Sequence, residues 1–323
     1  MVSPNWIGDA LMAQPLFGRL HEKVPGLKID VLAPEWVAPV VRRMPEVAEV
    51  ISAPLRHGGL QLRLRWEIGR RLRGRRYDQA LVLPNSWKSA LIPFFADIPL
   101  RSGYVGESRY GLLNLLYKKP PSKERPAMAL HYAALSEPPG KDVGQPLPQP
   151  SLRFSAGDIE SARRKFGIAG PYAVFCPGAE YGPAKRWPYF RELSARVRGK
   201  DVEIVLLGSP NDAEAAAGIG GVDLVGKTTL DEAIDLIAGA RYVVTNDSGL
   251  MHVAAALGRP LVALFGSSSP RHTPPLSPHA RVRWLQVECS PCYQRECPLG
   301  HFRCMREMTV DSVAEDIQNL GLR

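Results

Sequence analysis

Three observations predict an α/β fold built as two doubly wound, Rossmann-like domains. Strand-like apolar runs alternate with amphipathic helical stretches along nearly the whole chain. The alternation breaks once, where Pro and Gly crowd residues 137–151, and then restarts. The chain has 323 residues, more than one typical core fills. The expected division is a first domain over 1–136, a linker over 137–151 and a second domain over 152–323. Ligands of such sheets sit beyond the carboxyl ends of the strands, so the two domains are expected to face a central cleft.

The elements follow in order. GDALMAQPLFGRLHEKV (8–24) has helical periodicity, and KIDVLA (28–33) reads as a short buried strand. VAEVI (47–51), QALVLP (79–84) and RSGYV (101–105) are further strands, with helical stretches between them. In the second half YAVFCP (172–177), VEIVLLG (202–208), VDLVG (222–226), RYVVTND (241–247) and RPLVALFG (259–266) are strands. Helices are expected over 188–199, 212–218, 230–240, 249–258 and 310–320.

Hydrophobic content of 45% and charged content of 23% are ordinary for a globular chain. No apolar run approaches the roughly 18 residues that span a bilayer. No basic stretch followed by an apolar one opens the sequence, so a cytoplasmic location is expected. The 41 Lys and Arg exceed the 32 Asp and Glu, a net charge of +9 that favours anionic partners. Much of the excess lies between Arg56 and Arg76, where eight arginines face one acid, Glu67. This stretch is either a solvated amphipathic helix face or a docking surface. Of five cysteines, Cys176 sits in an apolar strand and reads as core. Cys289, Cys292, Cys297 and Cys304 cluster with C-x2-C-x4-C-x6-C spacing, which suggests a structural zinc or iron site before a disulfide. His301 is an alternative ligand there, and a closed four-ligand site leaves no position for catalysis.

Four strand-end segments carry candidate chemistry. Asp247, Ser248 and Gly249 follow a strand and open a helix, with His252 one turn in. Such a turn offers N–H groups to a phosphate, or is an ordinary N-cap above a core histidine. Lys185 and Arg186 end a Gly- and Pro-rich loop after Cys176; a lysine there can meet a diphosphate as a point charge, or is a surface cation. Asp212 follows another strand end, placed to accept ribose hydroxyls or to cap its helix. Gly8 and Asp9 begin the first helix; Asp9 is a cap, or a base for an acceptor hydroxyl.

SPNWIGDALMAQPL (3–16), LPNSWKSALIPFFADIPLRSGY (83–104), PGAEYGPAKRWP (177–188) and TNDSGLMHVAAALGRPLVALFGSSSP (245–270), in this order, resemble the ADP-heptose glycosyltransferases of glycosyltransferase family 9. The resemblance implies a GT-B fold and inverting transfer of L-glycero-D-manno-heptose from ADP-heptose in lipopolysaccharide biosynthesis. The implied acceptor is the first heptose of the phosphorylated lipid A–Kdo–heptose inner core. Asp9 is then the implied base, and Lys185, Asp247, Ser248, Gly249 and His252 hold the donor diphosphate. Gly8, Thr228, Thr229, Leu230 and Asp212 join as donor contacts, and Asn85, Lys88, Arg101 and Arg109 as acceptor contacts. No metal or cofactor is implied for catalysis. The basic first domain would meet the anionic inner-membrane surface peripherally.

The chain departs from the family at its start, where only Met1 and Val2 precede SPNWIGD in place of a full apolar strand. A start lying upstream would supply a central strand, and its loss would weaken the first domain. The alternatives are a relative that adds a different heptose or uses another sugar nucleotide, and a non-catalytic nucleotide- or nucleic-acid-binding protein. No nucleic-acid motif accompanies the arginines, so no nucleic-acid partner is expected.

Overall fold

A computed structural model describes residues 1–56, 58–120, 126–198 and 202–321. His57, within the basic stretch, and Gly199, at the end of a predicted helix, lie outside the described residues. The chain divides into two compact units, Met1–Gln149 and Pro150–Arg323.

The first unit contains α1 (Ile7–Lys23), β1 (Ile29–Pro34), α2 (Ala38–Arg42), β2 (Val47–Ala53), α3 (Leu62–Leu72), β3 (Gln79–Leu81), α4 (Leu91–Phe95), β4 (Leu100–Tyr104), β5 (Leu115–Tyr117) and α5 (Met128–Ala133). β1 pairs with β2, and β4 lies between β3 and β5, all in parallel. Val2 joins the two groups of strands by bridging Leu32 and Val82 in parallel. Its N–H donates to the Leu81 carbonyl (2.8 Å), and its carbonyl accepts from Leu83 (3.2 Å). The expected missing central strand is thus represented, in its central place, by the bridge at Val2. The connection from Val2 to α1 therefore leaves the carboxyl end of a sheet, and so does the loop after β3.

α3 shows why its arginine-rich sequence still folds onto the unit. Ile68, Gly69 and Leu72 are buried, while Leu62, Arg63, Trp66, Glu67, Arg70 and Arg71 are exposed. α4 approaches Gly69 so closely that a β-carbon there would lie 2.5 Å from the Phe95 β-carbon. Arg65 is buried, yet it is satisfied by the Leu60 and Lys88 carbonyls at 2.7 and 3.0 Å.

The second unit contains α6 (Ala156–Lys165), β6 (Tyr172–Cys176), α7 (Phe190–Val197), β7 (Glu203–Leu206), α8 (Ala213–Ala216), β8 (Val222–Asp223), α9 (Leu230–Ala238), β9 (Val243–Asn246), α10 (Gly249–Ala256), β10 (Leu261–Phe265), β11 (Ala280–Trp284), α11 (Arg303–Arg306) and α12 (Val310–Gln318). Its six-stranded parallel sheet has the order β11-β10-β9-β6-β7-β8. β6, β9 and β10 are buried along their whole length, as continuous apolar runs in a parallel sheet require. Phe175, Phe190, Leu206, Val244, Leu264, Met305 and Val313 belong to one core on this sheet. The strand order reverses between β6 and β9. Loops leaving the carboxyl ends of those two neighbours bound the crevice where such sheets bind ligands.

Candidate functional site

The loops after β6 and β9 meet at this switch point. Asn246, the last residue of β9, is fully buried and ties them together. Its side-chain oxygen accepts the Trp187 N–H (3.1 Å), and its amide donates to the Pro177 carbonyl (2.7 Å). The Trp187 indole is itself buried, with its N–H on the Met308 carbonyl (2.9 Å). The loop end that carries Lys185 is therefore anchored on its carboxyl side. Lys185 Nζ lies 2.5 Å from Asp247 Oδ2, and Ser268 Oγ donates to the same oxygen at 2.5 Å. A third strand-end loop, after β10, thus joins the cluster.

Ser248 stands at the N-cap position of α10, but its side chain makes no capping bond to the helix. It lies 3.3 Å from Thr245 Oγ1 instead. The first turn of α10 therefore keeps its N–H groups and partial positive charge available to an anion. Gly249 places no side chain over that turn.

His252 is 6% exposed, and burial pushes its imidazole down to about 4; Asp247 opposes this shift and Lys185 adds to it. It is neutral at neutral pH and gives the site no charge. The unfolded chain takes up this proton near pH 6.5 and the folded chain only near 4. Stability linked to His252 is therefore intact above pH 6.5 and is lost as pH falls toward 4. Urea denaturation should show wild type losing about 2 kcal/mol more than His252→Gln between pH 7 and 5. Equal losses in the two proteins would remove this linkage.

Other expected donor contacts are placed differently. Asp212 is buried, and its Oδ2 accepts from Ser209 N (2.9 Å) and Ser209 Oγ (2.8 Å) in a capping box. Its carboxylate packs so tightly under Gly178 that a β-carbon there would lie 2.0 Å from the carboxyl carbon. Asp212 thus supports the loop after β6 through Oδ2, the capping role that its position also allowed. Thr229 caps α9, accepting from the Glu232 N–H (3.2 Å), while Thr229 N–H donates to Glu232 Oε2 (2.8 Å). Thr228 and Leu230 flank it, each half-buried.

In the first unit Gly8 and Asp9 lie in the first turn of α1, just after the strand position of Val2. Asp9 is half-buried and close enough to Tyr132 to act on its phenol electrostatically. That phenol is held well above its usual range, by burial first, then by Asp9 and Tyr104. Asn85 is exposed in the loop after β3, and Lys88 is half-buried with its ammonium on the Gly58 carbonyl (2.7 Å).

The two arginines expected beside them are turned to internal use. Arg109 is 1% exposed and donates to the carbonyls of Tyr104 (3.0 Å from Nε) and Pro84 (2.5 Å from Nη1). Arg101 donates to the Leu112 and Ile98 carbonyls at 2.7 and 2.6 Å. Arg109 thus holds the Pro84 end of the loop that carries Asn85, and Arg101 ties the start of β4 to the loop before β5.

Cys176 is buried in β6, and burial pushes its thiol up to about 12, as suits a core residue. Cys289, Cys292, Cys297 and Cys304 form no disulfide and line one pocket together with Ala184, Ser267 and His301. Cys297 Sγ accepts the Phe302 N–H at 3.4 Å. Burial acts to raise that thiol, but the N–H groups of Phe302, Leu299, His301 and Gly300 outweigh it and hold it below the usual range. Among the described residues, no three His, Cys, Asp or Glu side chains are gathered closely enough to hold a metal ion as they stand. Nor is any described helix long and apolar enough to cross a membrane.

Two parallel α/β units, one with a cation, an acid and an uncapped helix at its switch point, are the parts of a GT-B architecture. The model of glycosyltransferase family 9 (heptosyltransferase) matches residues 65–303, and the chain belongs to that family. It is 44% identical to lipopolysaccharide heptosyltransferase 2 of Escherichia coli K12, with 100% of this chain and 98% of that protein covered. It is 40% identical to lipooligosaccharide heptosyltransferase 2 of Haemophilus influenzae, covering 99% and 98%. The solved structure of E. coli ADP-heptose LPS heptosyltransferase II superposes with a TM-score of 0.87 at 42% identity, covering 99% of this chain and 97% of that one.

Residues that sequence reasoning passed over include Ser268, Asn246 and Tyr181. Ser268 had a signal: the serine run 267–269 follows a buried strand and is the third such strand-end loop. For Tyr181 the signal was weak, because its partners Tyr293 and Arg295 come from more than a hundred residues downstream.

Proposed function

We propose that this chain transfers L-glycero-D-manno-heptose from ADP-heptose to the first heptose of a lipid A–Kdo–heptose acceptor, with inversion. The Lys185–Asp247–Ser268 cluster beside the uncapped start of α10 carries the reading. It offers a cation and backbone N–H donors to a diphosphate at the switch point. The acceptor hydroxyl gives its proton to the Asp9 carboxylate and attacks the anomeric carbon. The bond to the β-phosphate oxygen breaks, and the departing ADP keeps the electron pair. Lys185 and the α10 N–H groups stabilise that charge as it grows, so no catalytic cofactor is required. Identity of 44% over the full length to a named heptosyltransferase 2 supports this choice of sugar and acceptor.

Transfer from ADP-heptose should give product with an acceptor that already bears one heptose and none with the bare Kdo acceptor. The opposite pattern would make the chain a first-heptose enzyme. Absence of product with either acceptor would overturn the choice of donor or acceptor.

A peripheral, cytoplasmic position at an anionic membrane is part of the same proposal. The exposed Leu62, Arg63, Trp66, Arg70 and Arg71 of α3 support it by pairing apolar and cationic groups on one short helix. Sedimentation with anionic but not zwitterionic vesicles is the expected result; equal recovery would refute it. The four cysteines take no step in the transfer. We assign them a structural zinc or iron ion, supported by their shared pocket and by the N–H groups aimed at Cys297. Binding would require their side chains to turn toward one point. Elemental analysis should find one ion per chain, and a metal-free, fully folded protein would exclude it.

A further inference from the structure

The cysteine-rich segment does more than fill space behind the switch point. Its residues 290–295 reach two of the three loops that build the Lys185 cluster. Tyr293 N–H donates to the Ser267 carbonyl (2.7 Å), and Ser290 Oγ donates to the Gly266 carbonyl (2.6 Å). On the other side the Arg295 carbonyl accepts the Ala184 N–H at 3.0 Å. Arg295 Nε donates to the Tyr181 carbonyl (2.8 Å), and Tyr181 Oη donates to the Tyr293 carbonyl (2.6 Å). Gly182 has φ +145°, and a β-carbon there would lie 2.5 Å from the Arg295 carbonyl oxygen. Glycine is what lets the two backbones approach this closely.

These bonds converge on one aromatic ring. The Arg295 guanidinium lies 5.5 Å from the centroid of Tyr181, and Lys185 Nζ lies 4.9 Å from the same centroid. Lys185 thus meets both the Asp247 carboxylate and the ring of Tyr181, a residue whose carbonyl and hydroxyl are bonded to Arg295 and Tyr293. A lysine carries its point charge on a flexible four-carbon stem, so contacts that restrict the stem lower the entropy lost when it meets a phosphate. The contacts form a closed circuit: Lys185, Asp247, Ser268 and Ser267, Tyr293, Tyr181, and Lys185 again.

We infer that Arg295 is a positioning residue for the transfer, acting with Tyr181 to hold Lys185 in place for the donor diphosphate. The inference rests on Lys185 serving that diphosphate. It assigns Arg295 no contact of its own with the donor. The segment that carries the cysteines then has a functional connection to catalysis, whether or not a metal stiffens it.

A double-mutant cycle on the full chain tests this, with calorimetric ADP affinity and steady-state turnover as readouts. Arg295→Ala should weaken ADP binding and lower kcat/KM for ADP-heptose roughly tenfold or more, with kcat falling as well as KM rising, because Lys185 also meets the charge that grows in the transition state. In a Lys185→Ala background the same change should have almost no further effect, because the group it positions is gone. A full tenfold loss in that background would make Arg295 a direct or unrelated contact and overturn the inference, as would unchanged ADP affinity in Arg295→Ala alone. If Lys185→Ala by itself leaves ADP affinity unchanged, the reading of Lys185 fails first and this inference falls with it. Tyr181→Phe removes only the hydroxyl bond to Tyr293 and provides a gentler second arm. It should show the same non-additivity, and additive effects there would also count against the proposal.

Discussion

Replacing Asp9 by alanine is expected to lower kcat by about 10²–10⁴-fold, the usual contribution of a positioned general base, while leaving ADP affinity within a factor of about two. The reasoning begins at Val2, which bridges the two halves of the first sheet. The chain turns from that strand position directly into α1, so Asp9 stands in the first turn beyond the carboxyl end of the sheet. A carboxylate is electrostatically favoured in a first turn. The nearby Tyr132 phenol is buried and held well above its usual range, so it stays protonated and does not compete as a base. Asp9→Asn keeps the volume and removes the basicity, and it should lose nearly as much turnover as alanine. The groups proposed to hold the diphosphate belong to the other unit of the chain, which is why donor binding should survive. Unchanged kcat in both variants, or a loss confined to ADP affinity, would remove Asp9 as the base.

The legible parts of this architecture are those governed by local periodicity. Runs such as YAVFCP and RPLVALFG are apolar throughout because strands in a parallel sheet are covered on both faces, and both are strands here. The place of Val2 was legible only through the family resemblance, since one bridging residue has no period. Asp212 shows a second limit. A polar residue just past a strand can face a ligand or close a capping box, and only the spacing of Ser209 to Asp212 hints at the cap that forms. Arg109 shows a third. An arginine at 1% exposure is unexpected from composition, and its carbonyl partners Tyr104 and Pro84 come together only after the chain folds back. Lys185 and Asp247 were each visible as strand-end residues. Their pairing follows from a strand order, β6 beside β9, that no local pattern encodes.

Lys185→Ala is expected to weaken ADP and ADP-heptose binding by roughly 10- to 100-fold, the range of a charge-assisted hydrogen bond worth about 1.5–3 kcal/mol. The substitution has a second consequence that must be separated from the first. Asp247 is 6% exposed, and Lys185 is its ion-pair partner at 2.5 Å. Removing the lysine leaves a buried carboxylate supported by the Ser268 hydroxyl, and such a loss can cost about 3–5 kcal/mol of stability. A destabilised protein could bind ADP poorly for that reason alone. Lys185→Ala combined with Asp247→Asn removes both charges and should regain most of the lost stability. ADP affinity should stay low in this double variant, because the cation that meets the diphosphate is still missing. Recovery of affinity together with stability would show that Lys185 acts only to neutralise Asp247, and the helix N-terminus of α10 would then have to hold the diphosphate without it.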